Sequence, residues 1–149
     1  MKSKKIKSIK KLTKKQTEKL KITCPYCGKE AILQNKSYVH GKNSIGGGKL
    51  YVCYGYPACD SYVTAHSSTN EPQGTLANRE LRLKRIETHE IFNKIVYKNI
   101  MTKKESYMWL GCRLQLNSRE AHIAMLTYDQ CNELILHCRK LLENNQMAC

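Results

Sequence analysis

Aromatic side chains other than tyrosine are scarce in this 149-residue chain, which has one tryptophan and one phenylalanine, and prolines number only three. No stretch approaches the ~20 consecutive apolar residues that a membrane-spanning helix needs. The N-terminus is basic, with neither the apolar run nor the small-residue cleavage site of a secretory leader, so the expected setting is the cytoplasm. Acids are few, 12 against 26 lysines and arginines, for a formal charge of +14. These shortages exclude a large multidomain enzyme and a membrane protein. Disorder along the whole length is excluded by what is present, since 41% of residues are hydrophobic and they recur periodically in the second half. A small basic chain of one compact domain, or two small ones, remains.

The charge is concentrated at one end. Residues 1–22 hold ten lysines and one acid, Glu18, a net +9 of the total +14. Ile6, Ile9 and Leu12 recur at three-residue spacing, which permits a short amphipathic helix on an anionic surface. A solvated arm and a non-specific phosphate-binding arm are the other readings, because lysines neutralise phosphates without fixed structure. An apolar face of three residues is too small to hold a membrane.

From residue 23 the pattern is one of strands and turns. Ala31–Leu33, Tyr38–His40, Leu50–Val52 and Tyr62–Val63 are strand candidates, and a loop with four glycines lies between the second and third. Residues 67–75 read as a linker. Beyond Leu76 the pattern turns helical, with candidates over 76–99 and 103–115 and a short helix from Asn117 to Met125. The last helix is the clearest. Tyr128, Cys131, Leu134, Ile135, Cys138, Leu141 and Leu142 fall on one stripe, preceded by a Thr127/Gln130 capping pair. The expected fold is therefore α+β: a basic tail (1–22), a small β-hairpin ribbon (23–70) and a helical subdomain (71–149).

Eight cysteines are many for this length. Without an export signal, paired spacings favour metal thiolates over disulfides. Two residues separate Cys24 from Cys27, five separate Cys53 from Cys59, and the 25 residues between the pairs suffice for a hairpin that folds one pair onto the other. Four thiolates make a closed tetrahedral site with no position for a reactive water, so the expected cofactor is one structural Zn2+. His40 or His66 in place of one cysteine is the variant left open. Cys131 and Cys138 read as buried thiols on the apolar stripe, with a second metal site that includes His122 or His137 as the alternative. Cys112 and His122 imitate a nucleophile and base but lack any surrounding motif, so no catalysis is expected.

The second cysteine pair, Cys53-Tyr54-Gly55-Tyr56-Pro57-Ala58-Cys59, resembles the C4 zinc ribbons at the C-terminal end of bacterial type I DNA topoisomerases. Cys24, Pro25, Cys27, Gly28, Cys53, Tyr56, Pro57 and Cys59 carry the resemblance, over residues 23–64. In that family the ribbon binds single-stranded DNA. The long glycine-rich loop and the single ribbon are departures. Over residues 23–138 the chain also looks like a small family of zinc-finger-containing proteins from phages and prophages. Pro72, Gly74 to Ala77, Glu80 to Arg82, Arg85, His89, Tyr107, Trp109, Leu110, His122, Ile123 and Cys131 carry this second likeness. It implies a mobile-element context and no defined activity.

Six of the nine tyrosines lie in the ribbon, more than a domain of that size can bury. Exposed rings beside lysines compose a single-strand binding surface or a protein-binding hot spot. The candidates are Tyr26, Tyr54, Tyr56, Lys29 and Lys49, with the ring of Tyr56 expected to project outward because Pro57 favours an extended backbone before it. Arg82, Arg85 and His89 fall within about 60° of one another on the first long helix. They form either an anion-binding strip or a set of side chains lying over the ribbon. The expected function is a non-enzymatic zinc-ribbon protein that binds nucleic acid, single-stranded DNA above all, or a host protein loaded with nucleic acid. No small-molecule substrate and no membrane are expected. The alternative is a phage-type inhibitor that binds a host defence nuclease, as anti-CRISPR proteins bind Cas effectors.

Overall fold

The computed structural model describes residues 20–43 and 45–147, so the lysine-rich tail falls outside it up to residue 19. The fold is α+β. Three strands, β1 (Ala31–Asn35), β2 (Lys49–Cys53) and β3 (Tyr62–Thr64), form an antiparallel sheet in the order β1-β2-β3. The register aligns Ile32, Val52 and Tyr62 on one face and Leu33, Tyr51 and Val63 on the other. The second face builds a small core from Cys24, Ala31, Tyr51, Cys53, Val63, Ala65 and Leu76.

The sequence suggested a strand at Tyr38–His40. The backbone there is instead a helical turn, α1 (Ser37–His40), in which Gly41 N–H donates to Ser37 O at 2.9 Å. Aromatic and β-branched residues favour strands only where a neighbouring strand is free to pair. Here the segment closes on itself instead, with His40 N–H also donating to Lys36 O, and α1 sets Tyr38 against Tyr56, ring centroids 5.8 Å apart.

Residues 67–75 are not a free linker. His66 N–H donates to Glu71 O, Gln73 N–H to Thr64 O and Thr75 N–H to Ala124 O, and the Tyr51 hydroxyl donates to Asn70 O at 2.6 Å. Small polar residues signalled a turn correctly. What they could not signal is that its backbone closes onto the sheet edge.

The helical part consists of α2 (Arg79–Tyr97), α3 (Lys103–Leu114), a single 3-10 turn (Ile123–Met125) and α4 (Tyr128–Met147). Each long helix starts at a side-chain cap. Asn78 Oδ1 accepts from Leu81 N–H, Thr102 and Glu105 form a capping box, and Thr127 and Gln130 form another. The expected helix from Asn117 shrinks to a turn and the 3-10 segment. The core packs Phe92 and Ile95 of α2 and Leu110 of α3 against Cys131, Leu134 and Cys138 of α4, with Ile123 and Leu126 between. Tyr128, placed on the buried stripe by spacing, lies at its margin, partly exposed under the Lys84 ammonium. Its position in the first turn of α4 puts it beyond the end of the core. Among the described residues no helix is long and apolar enough to cross a membrane.

Two arginines of α2 sit near the joint of the two halves. Arg82 donates to Asp60 O (2.7 Å) and Ala77 O (2.6 Å), pairs with the Asp60 carboxylate and lies 3.9 Å from the centroid of the Tyr62 ring. Arg85, only 8% exposed, donates to Thr75 O, Thr75 Oγ1 and Leu126 O. A largely apolar cleft of about 610 Å3 opens at the joint, between Pro25 and Tyr26 on one side and Leu81, Leu126 and Tyr128 on the other.

Candidate metal centre

A tight turn presents the first pair of sulfurs. Gly28 N–H donates to Cys24 O and Cys24 N–H to Lys29 O, closing a loop in which Gly28 takes φ +75°. That left-handed backbone is open to glycine at little cost and strained for other residues. The second pair comes from the end of β2. Tyr54 N–H donates to Glu30 O, which fixes the second turn beside the first, while Tyr56 N–H donates to Cys53 O and Cys59 N–H to Gly55 O.

The four sulfurs converge. Cys24 Sγ lies 3.6 Å from Cys59 Sγ and Cys27 Sγ lies 3.3 Å from Cys53 Sγ. All four fall within 4.8 Å of one another. Bonds of ~2.3 Å to a tetrahedral zinc require sulfurs about 3.8 Å apart, so the spacing fits that ion. Cys24 and Cys53 are buried, Cys59 is half-buried and Cys27 is exposed. Neither His40 nor His66 joins the group. His40 instead meets the Tyr62 ring edge-on at 5.7 Å.

The surroundings treat the sulfurs unequally. Burial alone raises the Cys24 thiol. The Ser61 hydroxyl, the Tyr26 and Cys27 backbone and Cys59 outweigh that and hold it at about 6. Burial pushes Cys53 up to about 12, against one N–H from Gly55 that donates to its sulfur at 3.4 Å. A cation held by Cys24, Cys27, Cys53 and Cys59 would favour the thiolate form of all four. Ser61 went unnoticed in the sequence. It is fully buried, with Oγ 3.0 Å from Cys24 Sγ and 3.5 Å from Cys59 Sγ, and so supports two ligands from behind. Its place two residues after Cys59 was the one available signal.

The remaining candidates separate into two groups. Tyr54 is 72% exposed, and Tyr26, Lys29 and Lys49 are also exposed. Tyr56, expected to project outward, is half-buried against Tyr38, which is itself 53% exposed. Arg85 is withdrawn from any anion-binding strip, because its guanidinium is sealed among the carbonyls of Thr75 and Leu126. Arg82 is largely occupied by Asp60, Ala77 and the Tyr62 ring. Arg82 lies over the ribbon and holds it, whereas Arg85 ties the segment at Thr75 to Leu126. Cys131 and Cys138 are fully buried, and burial raises both thiols, Cys138 to about 12. Cys112 is exposed, and no hydrogen bond joins it to His122 among the described residues.

Neither the curated proteins nor the solved structures compared with the chain gave a match. The family model described as a zinc-finger-containing domain matches residues 20–141, a span that contains the four cysteines, the sheet and nearly all of the helical core. With its sulfurs gathered for zinc and most of its length matched, the chain belongs to the zinc-finger-containing domain family.

Proposed function

We propose that this zinc-ribbon protein is a non-enzymatic binder of single-stranded nucleic acid, working in the cytoplasm and of the mobile-element kind that its likeness to phage proteins implies. The observation that carries the reading is the outer face of the ribbon. The rings of Tyr38 and Tyr54 stand open there, next to the second cysteine turn. A Cβ on Gly55 would lie 3.5 Å from the Lys29 ammonium, which places that cation on the same turn. Open rings with adjacent cations stack bases and neutralise phosphates. Zinc bound by four thiolates would carry about −2 and contribute a cross-link rather than a reactive water, which accords with a binding role. The lysines of residues 1–22 add sequence-independent affinity.

A salt titration of oligonucleotide binding tests this. Deleting residues 1–22 should flatten the dependence of log K on log salt by several units, at ~0.7 per lost phosphate contact on single strands. Tyr54→Ala should weaken binding by roughly 1–3 kcal/mol and leave that slope alone, because stacking releases no counterions. Absence of single-strand binding by the parent at low salt overturns the reading.

A second reading rests on the apolar cleft at the joint, whose walls include Tyr26, Leu81 and Tyr128. Such a surface suits a protein anchor. It supports an inhibitor of a host nuclease, the anti-CRISPR-like alternative. A host protein retained in stoichiometric amount after nuclease treatment of a pull-down favours it.

A further inference from the structure

A smaller cavity, about 340 Å3, lies on the outer face of the sheet, lined by Ile32, Gln34, Tyr38, Val52, Cys53 and Tyr54. Its composition differs from that of the apolar cleft. Val52 is buried and contributes an apolar floor, and Tyr38 and Tyr54 are exposed rings in its wall. The remaining polar side chain is Gln34, which is half-buried on β1. Its amide makes no hydrogen bond among the described residues, although the backbone around it is paired with Leu50. The amide is open to solvent and free to take a partner, and it lines the same cavity as the two exposed rings. It offers a donor and an acceptor side by side.

From this we infer that the cavity holds one unpaired nucleobase, with its face against Tyr38 or Tyr54 and its edge on the Gln34 amide. A paired donor and acceptor is the arrangement by which glutamine reads a base edge. Stacking an unpaired base on an aromatic ring while hydrogen-bonding its edge is how single strands are read with sequence preference. The inference rests on the single-strand reading above and adds to it. Stacking alone is tolerant of base identity, whereas an amide in the pocket makes the protein discriminate.

The test measures affinity for short oligo-dA, oligo-dG, oligo-dC and oligo-dT, for an abasic strand of equal length and for the corresponding RNA series. The parent should favour its best base over the abasic strand by ~10-fold or more and should rank the four bases unequally. Equal ranking in the DNA and RNA series places recognition in the base; a difference between the series assigns part of it to the sugar. Gln34→Leu should compress the spread among bases and leave the abasic affinity and the salt slope unchanged. Gln34→Glu keeps the size and removes the donor, so it should shift the ranking toward guanine, adenine and cytosine, whose amino groups still find an acceptor, and away from thymine or uracil, which has none. Zinc content of both variants, equal to the parent's, verifies that the ribbon is intact. A parent that binds every base-bearing strand equally, or a ranking that Gln34→Leu and Gln34→Glu leave untouched, overturns the pocket while Tyr54-dependent binding stands. A parent that binds no single strand overturns both.

Discussion

Arg85 is a cation sealed between two stretches of backbone, with no carboxylate among its hydrogen-bond partners in the described residues. Its guanidinium reaches Thr75 and Leu126, residues far apart in sequence, and the fork geometry lets one side chain satisfy both. Arg85→Lys keeps the charge but loses the fork, so several buried acceptors lose their donors. Equilibrium urea unfolding should show a loss of ~2–4 kcal/mol, and parent-like stability would mean that water replaces the guanidinium. Gly74 acts at the same joint by absence. A Cβ there would overlap the carbonyl oxygen of Ala124, so Gly74→Ala should force the two segments apart and lower the melting temperature by several degrees. Little of this was legible beforehand. Helical spacing grouped Arg82 with Arg85 on one side of α2, because that follows from the period. Whether the group met phosphate or protein depended on where residues 75 and 126 lay, which no local pattern encodes.

At the scale of elements, legibility followed the strength of the period. The stripe of α4 runs through Cys131, Leu134, Ile135 and Cys138, all buried, because a long run of apolar positions at helical spacing has one way to be covered. The three residues Tyr38–His40 gave no period, and residues 67–75 gave only turn composition, so both acquired their conformation from tertiary contacts. The α4 stripe supports two predictions. Leu134→Asp puts a charge in a fully closed site and should abolish a cooperative melt, since burying an unpaired carboxylate costs more than a small domain can offset; a parent-like melt would mark the stripe as a surface. Cys138 gives a pH dependence. In the folded protein burial holds its thiol protonated up to about 12, whereas an unfolded thiol ionises near 9. Between those values the unfolded chain binds fewer protons, so stability declines as pH rises, by at most ~1.4 kcal/mol per pH unit from this group. Below pH 9 the group contributes no slope. Comparing denaturant midpoints of the parent and Cys138→Ala from pH 8.5 to 11 isolates it, and the variant should lose stability less steeply.

For the molecule as a whole, the metal centre was the most legible feature. Two cysteine pairs, the first followed directly by Gly28, name the ligands without help from tertiary structure. The support from Ser61 and the Gly55 N–H was not readable, because it depends on how the second turn folds behind the sulfurs. Structural zinc contributes on the order of 10 kcal/mol to the folding of small ribbons, comparable to the whole stability of a domain. Removing it with a strong chelator should therefore unfold the ribbon, seen as loss of one zinc per chain together with loss of tyrosine near-ultraviolet ellipticity; ellipticity unchanged after zinc loss would show that the sheet holds without metal. The uneven closure of the four corners has a kinetic consequence. Cys24 and Cys53 are walled in and Cys27 faces water. Exchange of a bound zinc with a competing chelator or thiol would thus have a direction: attack would begin at Cys27, the sheltered corners would release last, and a metal hard to lose at equilibrium would still be open to hand-over from one side.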